Sequence, residues 1–526
     1  MTARTIARAG LVVAAAFFIS RVLGWVRLVV ITNLFGAGIE LDAYFAAFRL
    51  PDAIFQLVAA GALSSAMIPV LAGLFTRDEE QRAWRVVSTV LNVMLIALAA
   101  LSAIVAVFAP QIVPIIVPGF DAVGTELTVR LTRIMLLSPV LLAIGAVASS
   151  VLNTRGRFGA AAVAPSLYNL SIIGGALLLG ETLGVEALAI GVVVGSLLHL
   201  AVQIRPLMQE RFRLSFDIDL GDSAARQVLL LMAPRALGLG ANQVTFIIAT
   251  LLATGVGLGA VTSYTVAFTV MQIPLGVIGF PLGVVLLPSL SRAIAAGSVR
   301  EFGQLVVRSI RLMLWIMLFV TAVGIVLRRQ AVTLLFDYGL DERAISLTAD
   351  TLSFLLLGLA AHSLVIILAR AFYSGHDTRT PVITALADMA VAIVVGLATV
   401  GSLGLSGIAL GLSAGAWFEA TALGILLWQR TPGAGLENVV RPFVVFVAGA
   451  ALAGSAAFVL VRVTDIAIGS DPGKVMLLLQ VIAAGAAAAA VYALYAVLLR
   501  IPELSQSINL ALSILRRRGR TDTDLE

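Results

Sequence analysis

Long apolar runs separated by short polar segments make up almost all of the 526-residue chain. Each run is long enough for a helix to cross a hydrocarbon core of about 30 Å. The pattern predicts an all-α integral membrane protein with fourteen membrane-spanning helices. The predicted spans cover residues 10–34, 42–75, 86–109, 126–152, 160–180, 186–204, 227–254, 260–291, 303–327, 346–371, 381–401, 405–428, 442–463 and 475–499.

Prolines mark two exceptions to this regular pattern. The second run, 42–75, is too long for one straight crossing, and Pro51 near its start predicts a break or kink. The segment PQIVPIIVPGF (110–120) is so rich in proline that we expect no helix there, and we place it at the membrane interface. Both expectations concern how spans begin and end, and neither changes the number of spans.

The distribution of basic residues tests the number of spans independently. With the N-terminus inside, the inner segments hold 23 arginines, while the outer loops hold four arginines and the only lysine, Lys474. Positive charge concentrates in cytoplasmic loops. If one span had been missed, the inner and outer loops after it would be exchanged and this asymmetry would be lost. The sequence therefore predicts fourteen spans with both termini cytoplasmic.

Composition narrows the class of protein further. Charged residues are 12% of the chain, about half the share of a soluble domain. The net charge of +6 lies mostly between apolar runs, where arginines orient helices and meet anionic membrane lipid, so no nucleic-acid partner is expected. The absence of cysteine excludes disulfides and thiolate chemistry. The first apolar run continues past Arg21 without a cleavage site, so a retained helix is predicted rather than a signal peptide.

Polar residues inside spans are densest in the first two. SRVLGWVR in span one and LDAYFAAFRLPD in span two contain Ser20, Arg21, Gly24, Arg27, Asp42, Arg49, Pro51 and Asp52. Three arginines could line a cavity for a phosphate or pyrophosphate, which a guanidinium binds bidentately. The alternative is an ion-pair network that only locks the two helices. We favour the cavity, because three arginines against two aspartates leave positive charge to be explained.

A second set of intramembrane charges lies in spans seven, eleven and twelve. Asp388 and Glu419 could bind Na⁺ or carry a proton, helped by Asn242 or Gln243. Alternatively, either carboxylate pairs with Arg235 as a structural contact. The sequence leaves both interpretations open.

Features of an enzyme are missing from the sequence. GSDPGKV (469–475) lacks the spacing of a phosphate-binding loop, and the three histidines are scattered. Nothing has the spacing of a metal site, so we expect no metal and no organic cofactor. A transporter without its own ATPase is predicted, rather than a membrane glycosyl or phosphate transferase or a scaffold.

Paired motifs suggest an internal repeat. MIPVL (67–71) and LLPSL (286–290) end spans two and eight, and an inner loop at 205–226 separates the halves. Parallel repeats of this kind occur in transporters. We therefore predict an N-terminal six-helix lobe (1–208), a C-terminal six-helix lobe (209–432), two additional helices (433–500) and a basic cytoplasmic tail (501–526).

Several segments resemble one known family. SRVLGWVR followed by NLFGAGIELDAYFAAFRLPDAI is similar to the MurJ (MviN) family, the lipid II flippases of peptidoglycan synthesis in the MOP exporter superfamily. Further similar segments follow in the family's order: VPGF (117–120), VLNTRGRF (151–158), APSLYNLSIIG (164–174), VVLLPSLS (284–291), FDYG (336–339) and AFYSGHDTRTPV (371–382).

The resemblance implies a fold and a mechanism. It implies two six-helix lobes around a central cationic cavity, two extra helices that form a lipid-facing groove, and alternating access driven by Na⁺, H⁺ or the membrane potential. The expected partner is a polyprenyl-pyrophosphate-linked saccharide, and the expected oligomeric state is a monomer. Six residues occupy family positions, with the two arginines expected to meet the pyrophosphate and the glycine and proline to shape the helices: Ser20, Arg21, Gly24, Arg27, Asp42 and Pro51.

The chain departs from the family pattern at three positions. Phe55 and Thr269 stand where the family has arginine, and Ala60 stands where it has glutamate. Two expected cavity cations are therefore absent. Either Arg49 or Arg235 compensates, or the cargo is a different polyprenyl-linked saccharide, such as an O-antigen or capsule unit.

Overall fold

The computed structural model describes residues 3–58, 62–210, 213–431, 435–468 and 473–507. These residues form helices and connecting segments, without strands. One π-helical turn covers Leu275–Gly279, and a short 3₁₀-helix covers Leu436–Val439. The helices are α1 (Ala3–Phe35), α2 (Ile39–Val58), α3 (Ala62–Thr76), α4 (Glu80–Ile116), α5 (Ala122–Met135), α6 (Ser138–Thr154), α7 (Phe158–Leu183), α8 (Glu186–Gln209), α9 (Ser223–Thr254), α10 (Ala260–Pro274), α11 (Phe280–Ala295), α12 (Val299–Val326), α13 (Arg328–Phe336), α14 (Glu342–Leu357), α15 (Leu359–Ser374), α16 (Arg379–Leu403), α17 (Leu405–Arg430), α18 (Val440–Ile468) and α19 (Lys474–Leu498).

Each of the fourteen predicted spans coincides with one helix or with a pair of consecutive helices. Within the described ranges, 11 helical stretches are long and apolar enough to cross a membrane. A twelfth is added if α14 and α15, which meet at a bend of 42°, form one span. The other two predicted spans correspond to α2 with α3, and to α9. The prediction of an all-α, many-spanning membrane protein is confirmed.

The expectation that residues 110–120 are not helical was wrong for residues 110–116 and was right for residues 117–120. Helix α4 continues through Pro110 and Pro114 and ends at Ile116. Pro110 has no N–H for the carbonyl of Ala106, four residues earlier. Arg133 of α5 replaces that donor, since its Nε lies 2.9 Å from the Ala106 oxygen. A neighbouring helix thus supplies the hydrogen bond that the proline removes, as happens in membrane helices.

The chain divides into two compact units. Unit 1 comprises Met1–Thr265 with Phe336–Ala344, and unit 2 comprises Val266–Leu335 with Ile345–Glu526. The predicted lobes (1–208 and 209–432) stay a prediction, because they rest on an internal repeat rather than on compactness.

Unit 1 is built around the second helix and the long fourth helix. Helix α2 packs against α5 and α9, and α1 packs along α7. An apolar cluster lies between α3, α4, α6 and α9 and includes Leu63, Met67, Met94 and Leu98, which are buried.

In unit 2 the last two helices pack on each other and α18 packs on α12. Aromatic residues hold them there: the rings of Trp315 and Tyr492 stack at 3.8 Å. The Tyr492 hydroxyl also donates to the Trp315 carbonyl oxygen at 2.9 Å. The two additional predicted helices are therefore an integral part of this unit.

A backbone crossing in unit 1 explains the glycine of the FDYG motif. A Cβ at Gly339 would overlap the carbonyl oxygen of Thr32 at the end of α1. Gly36, at φ +70°, faces the other side of this crossing, and a Cβ there would lie 3.0 Å from the Gly339 oxygen. Only glycine permits both the left-handed conformation and the close approach.

The connection between α8 and α9 is an extended strap over α4. Ser215 N donates to Ser88 Oγ at 3.1 Å, and Asp219 N donates to Thr89 Oγ1 at 3.1 Å. The strap ends at Asp222, which caps α9. Its alternate apolar side chains are exposed: Leu214, Phe216, Ile218 and Leu220.

Candidate functional site

The polar residues of α1 face α7 and α2. Asn169 of α7 donates from Nδ2 to the carbonyl oxygen of Ser20 at 3.3 Å. Gly24 lies beside the same asparagine, since a Cβ there would be 4.0 Å from Asn169 Oδ1. Arg21 is exposed and lies about 9 Å along the helix from Arg27. The small residue at position 24 lets α7 pass close to the arginine-bearing part of α1.

Arg27 is half-buried and faces polar groups of three helices. Its guanidinium interacts electrostatically with Tyr44 and Asp52 of α2, and with Tyr168 of α7. Within the described residues, its buried Nε has no hydrogen-bond partner. Arg27 and Arg49 therefore share an interaction with the carboxylate of Asp52.

Arg49 is held in place by the helices that pack on α2. Its Nε donates to Thr250 Oγ1 at 3.0 Å, and its Nη2 lies 3.4 Å from Thr265 Oγ1. The guanidinium also lies 5.3 Å from the ring centre of Phe246. Arg49 is therefore positioned by two threonine hydroxyls, and its charge acts on Asp52.

Asp52 accepts hydrogen bonds from two amides. Gln56 Nε2 lies 3.4 Å from one carboxylate oxygen, and Gln243 Nε2 lies 3.2 Å from the other. Gln243 is therefore engaged with Asp52. Arg27, Arg49 and Asp52 form one cluster between α1, α2 and α9.

Asp42 lies apart from this cluster and has a different set of contacts. It is fully buried. Its carboxylate accepts from Gly259 N at 2.8 Å, from Thr262 N at 2.7 Å and from Thr262 Oγ1 at 2.6 Å. These donors are the first N–H groups of α10, which a carboxylate satisfies as a helix cap. Asp42 thus fastens α2 to α10, and its contacts favour a structural role over substrate binding.

The positions that depart from the family pattern are not cationic sites. Phe55 packs against the apolar cluster of unit 1, and Thr269 is half-buried on α10. Pro51 is buried within α2, which is continuous through it. Ala60 and the side chain of Arg235 lie outside the described residues.

The second set of predicted residues is brought together in part. In unit 2, α16 and α17 pack closely enough that a Cβ at Gly415 would overlap Asp388 Oδ1. Glu419 is 8% exposed, interacts electrostatically with Asp388 and lies near Thr384, whose hydroxyl donates to the carbonyl oxygens of Thr380 and Pro381. Asn242, in unit 1, is exposed. Within the described ranges, no group of three or more potential metal ligands occurs.

The GHDTRTP motif fastens helix ends outside the membrane-spanning segments. The Asp377 carboxylate accepts from Arg379 N at 2.9 Å and from Thr380 Oγ1 at 2.6 Å, and Arg430 at the end of α17 pairs with it. Burial acts to raise the pKa of Asp377, but the hydrogen bonds from Thr380 and Arg430 outweigh it and hold the pKa below its usual range. Sequence reasoning assigned this motif no role, although an aspartate two residues before a helix is a capping signal.

Comparison with known proteins identifies the family. The family model described as lipid II flippase MurJ matches residues 31–471. The probable lipid II flippase MurJ of Rhizobium meliloti is 30% identical over 433 residues, covering 80% of this chain and 81% of that protein. The lipid II flippase MurJ of Burkholderia cenocepacia is 31% identical over 433 residues, covering 80% and 84%.

Solved structures agree on the fold. A lipid II flippase MurJ in an inward closed conformation superposes with a TM-score of 0.78 at 22% identity, covering 93% of this chain and 99% of that chain. An inward-facing multidrug resistance MATE transporter of the MOP superfamily gives a TM-score of 0.63 at 17% identity, covering 82% and 99%. With the family model spanning most of its length, this chain belongs to the MurJ lipid II flippase family.

Proposed function

We propose that this chain translocates lipid II from the inner to the outer leaflet of the plasma membrane by alternating access. It acts as a secondary-type transporter, not as an enzyme, and as a monomer with both termini cytoplasmic. The observation that carries the proposal is the family match over residues 31–471. The cationic cluster on α1 and α2 supplies the chemistry that such a substrate needs.

The charge balance of this cluster fits a pyrophosphate. Because Asp42 is engaged by α10, Asp52 is the carboxylate that interacts with both Arg27 and Arg49. Two arginines that share one carboxylate inside a membrane protein favour an anionic ligand, and guanidinium groups bind phosphate oxygens bidentately. We assign pyrophosphate contact to Arg21 and Arg27, with Arg49 and Asp52 orienting the cluster and Ser20 beside it.

The departures at Phe55 and Thr269 favour a second candidate. With two of the family's arginines replaced, the headgroup is held by fewer cations. A related polyprenyl-linked saccharide, of the O-antigen or capsule type, has the same pyrophosphate and a different sugar, so it could use the same Arg21 and Arg27. Rescue of flippase-depleted cells distinguishes the two cargoes.

Rescue of cells depleted of their own lipid II flippase tests the function. The wild-type chain should restore growth, whereas Arg21→Ala and Arg27→Ala should abolish rescue while the protein still reaches the membrane. Arg205→Ala, at an exposed position near the end of α8, is the matched control and should rescue normally.

The outcomes separate the two candidates. Failure of the wild-type chain to rescue, at normal abundance, would exclude lipid II as cargo and leave the second candidate. Normal rescue by both arginine variants would refute the binding assignment, whichever saccharide is carried.

Coupling to an ion is proposed at Asp388 and Glu419. Two carboxylates facing each other between α16 and α17 suit a proton or Na⁺, and Thr384 adds a hydroxyl beside Glu419. Asp388→Asn with Glu419→Gln should lower the transport rate at least tenfold and abolish its dependence on the ion gradient. Thr399→Val, which removes a hydroxyl from the same helix pair, is the control. An unchanged response to the gradient in the double variant contradicts the assignment.

A further inference from the structure

A second cationic site lies within unit 2 and shares no residue with the cluster on α1 and α2. Its volume is about 540 Å³, within the range of about 300–1,000 Å³ typical of small-molecule sites. It lies where α12 begins and where the chain continues after α19. The arginine distribution predicts that this end is the cytoplasmic one. The lining residues include Arg300, Gln304, Arg308, Arg311, Glu503 and Gln506.

The arginines of this site form one face of α12. Arg300, Arg308 and Arg311 are spaced by eight and three residues, which places them on the same side of successive turns. The facing wall is the segment 502–507 that follows α19. Arg308 Nε lies 3.2 Å from Gln506 Oε1, so one arginine already reaches across the cavity to a neutral acceptor.

One acidic residue is built into the same cavity. Glu503 is 2% exposed, and its Oε1 pairs with Arg311 Nε at 2.6 Å. Its second oxygen, Oε2, is buried and has no hydrogen-bond partner in the part of the chain that the structure describes. A buried carboxylate oxygen without a donor is costly, so a ligand that supplies a hydroxyl is favoured here.

The remaining charges favour an anion. With Arg311 paired to Glu503, Arg300 and Arg308 have no acidic partner within the described ranges, and both are exposed toward the end of the helices. Two guanidinium groups at one site match the oxygens of a phosphate. Basic pockets between membrane helices at the cytoplasmic surface are suited to anionic lipid headgroups.

We propose that this cavity binds the headgroup of an anionic glycerophospholipid of the phosphatidylglycerol type. Arg300 and Arg308 bind its phosphate, and the glycerol hydroxyls face Glu503. Because α12 and the segment 502–507 form opposite walls, the lipid joins that segment to α12. The site does not depend on which cargo is translocated.

Binding of short-chain phosphatidylglycerol to the purified full chain in detergent tests this proposal. The double variant Arg300→Gln, Arg308→Gln should bind it at least about tenfold more weakly, the loss expected for charge-assisted hydrogen bonds. Arg292→Gln, at an exposed position on α11, should bind like the wild type. The variant with lysine at positions 300 and 308 should recover part of the affinity, because it keeps the charge.

Three results would overturn the proposal. The first is a failure of the arginine variants to differ from their control: either the double glutamine variant keeps wild-type affinity, or Arg292→Gln loses as much affinity as the double variant. The second is equal binding of short-chain phosphatidylcholine, which carries no net charge. The third is displacement of the lipid by inorganic phosphate at equal concentration, which would assign the site to free phosphate. Melting of each variant without lipid, expected to match the wild type, separates loss of binding from loss of folding.

Discussion

At the scale of single residues, the polar positions of the first two helices look equivalent in the sequence but have different partners. Asp42 and Asp52 both lie in α2 among arginines, yet Asp42 accepts three hydrogen bonds from the start of α10. Asp52 lies near Arg27 and Arg49. The difference decides the net charge of the candidate site, because it removes one of two negative charges.

Arg133 provides a prediction at the same scale. Since its Nε satisfies the carbonyl that Pro110 leaves free, Arg133→Met should lower the free energy of unfolding by about 0.5–1.5 kcal/mol. In a Pro110→Ala background the alanine N–H donates to the Ala106 carbonyl instead. The loss of unfolding free energy caused by Arg133→Met should then be smaller. A double-mutant cycle of thermal unfolding in detergent measures the coupling. Additive effects of the two changes would show that the hydrogen bond does not compensate the proline.

At the scale of elements, short polar residues on one helix position a segment that the hydrophobic pattern leaves undefined. The strap between α8 and α9 has no span of its own, but Ser88 and Thr89 of α4 bind its backbone. Its end is fixed by Asp222, which binds Arg82 through both oxygens, at 2.7 and 3.2 Å. The strap is therefore fastened at several points along α4 rather than left loose.

The Asp222 contact makes the strap sensitive to acid. The hydrogen bond from Arg82 is the main cause that holds the pKa of Asp222 below its ordinary value of 3.8. A carboxylate whose pKa is lowered by folding stabilises the folded state at pH values above its ordinary pKa. This contribution disappears as the pH falls through the folded-state pKa. Asp222→Asn should therefore lower the melting temperature at about pH 7 and make progressively less difference toward about pH 3.

Thermal unfolding of both proteins across this range checks the prediction. The effect should be modest, because the pair is partly exposed to solvent. Asp217→Asn, at an exposed strap position without an arginine partner among the described residues, serves as the control and should show no such trend. If the difference in melting temperature between the wild type and Asp222→Asn stays constant with pH, the prediction is contradicted.

At the scale of the whole molecule, the distribution of arginines predicts which ends of the helices are cytoplasmic. Unit 1 takes in Phe336–Ala344, a segment that the topology prediction places outside. Helix α12 starts with Arg300 and Arg308 at its predicted inner end. The absence of cysteine from the chain makes this topology directly measurable, because one introduced thiol reports on one position.

A labelling experiment checks the orientation. Tyr338 is 80% exposed, and Tyr338→Cys should react with a membrane-impermeant maleimide in intact spheroplasts. Glu301→Cys, exposed near the start of α12, should react only after the membrane is permeabilised. The reverse pattern would invert the topology, and equal labelling of both in intact cells would contradict the fourteen-span prediction.

The sequence alone predicted the helical fold, the number of spans and the family. Those properties depend on local patterns: runs of apolar residues must match the membrane thickness, and charge asymmetry sets orientation. Each predicted span coincides with a helix or helix pair because the backbone in lipid has few alternatives to a helix. The same local reasoning failed at Pro110, where the compensating donor, Arg133, lies on another helix.

Only the tertiary structure decided which polar residues share a site. It engaged Asp42 with α10, tied Arg49 to Thr250, and brought Asp388 to Glu419. It also placed Glu503, from the segment that follows α19, against Arg311 of α12. These pairs are separated by up to hundreds of residues, and their formation depends on helix packing rather than on sequence spacing. Hydropathy determines that a helix lies in the membrane, whereas side-chain contacts between helices determine what each buried charge does there.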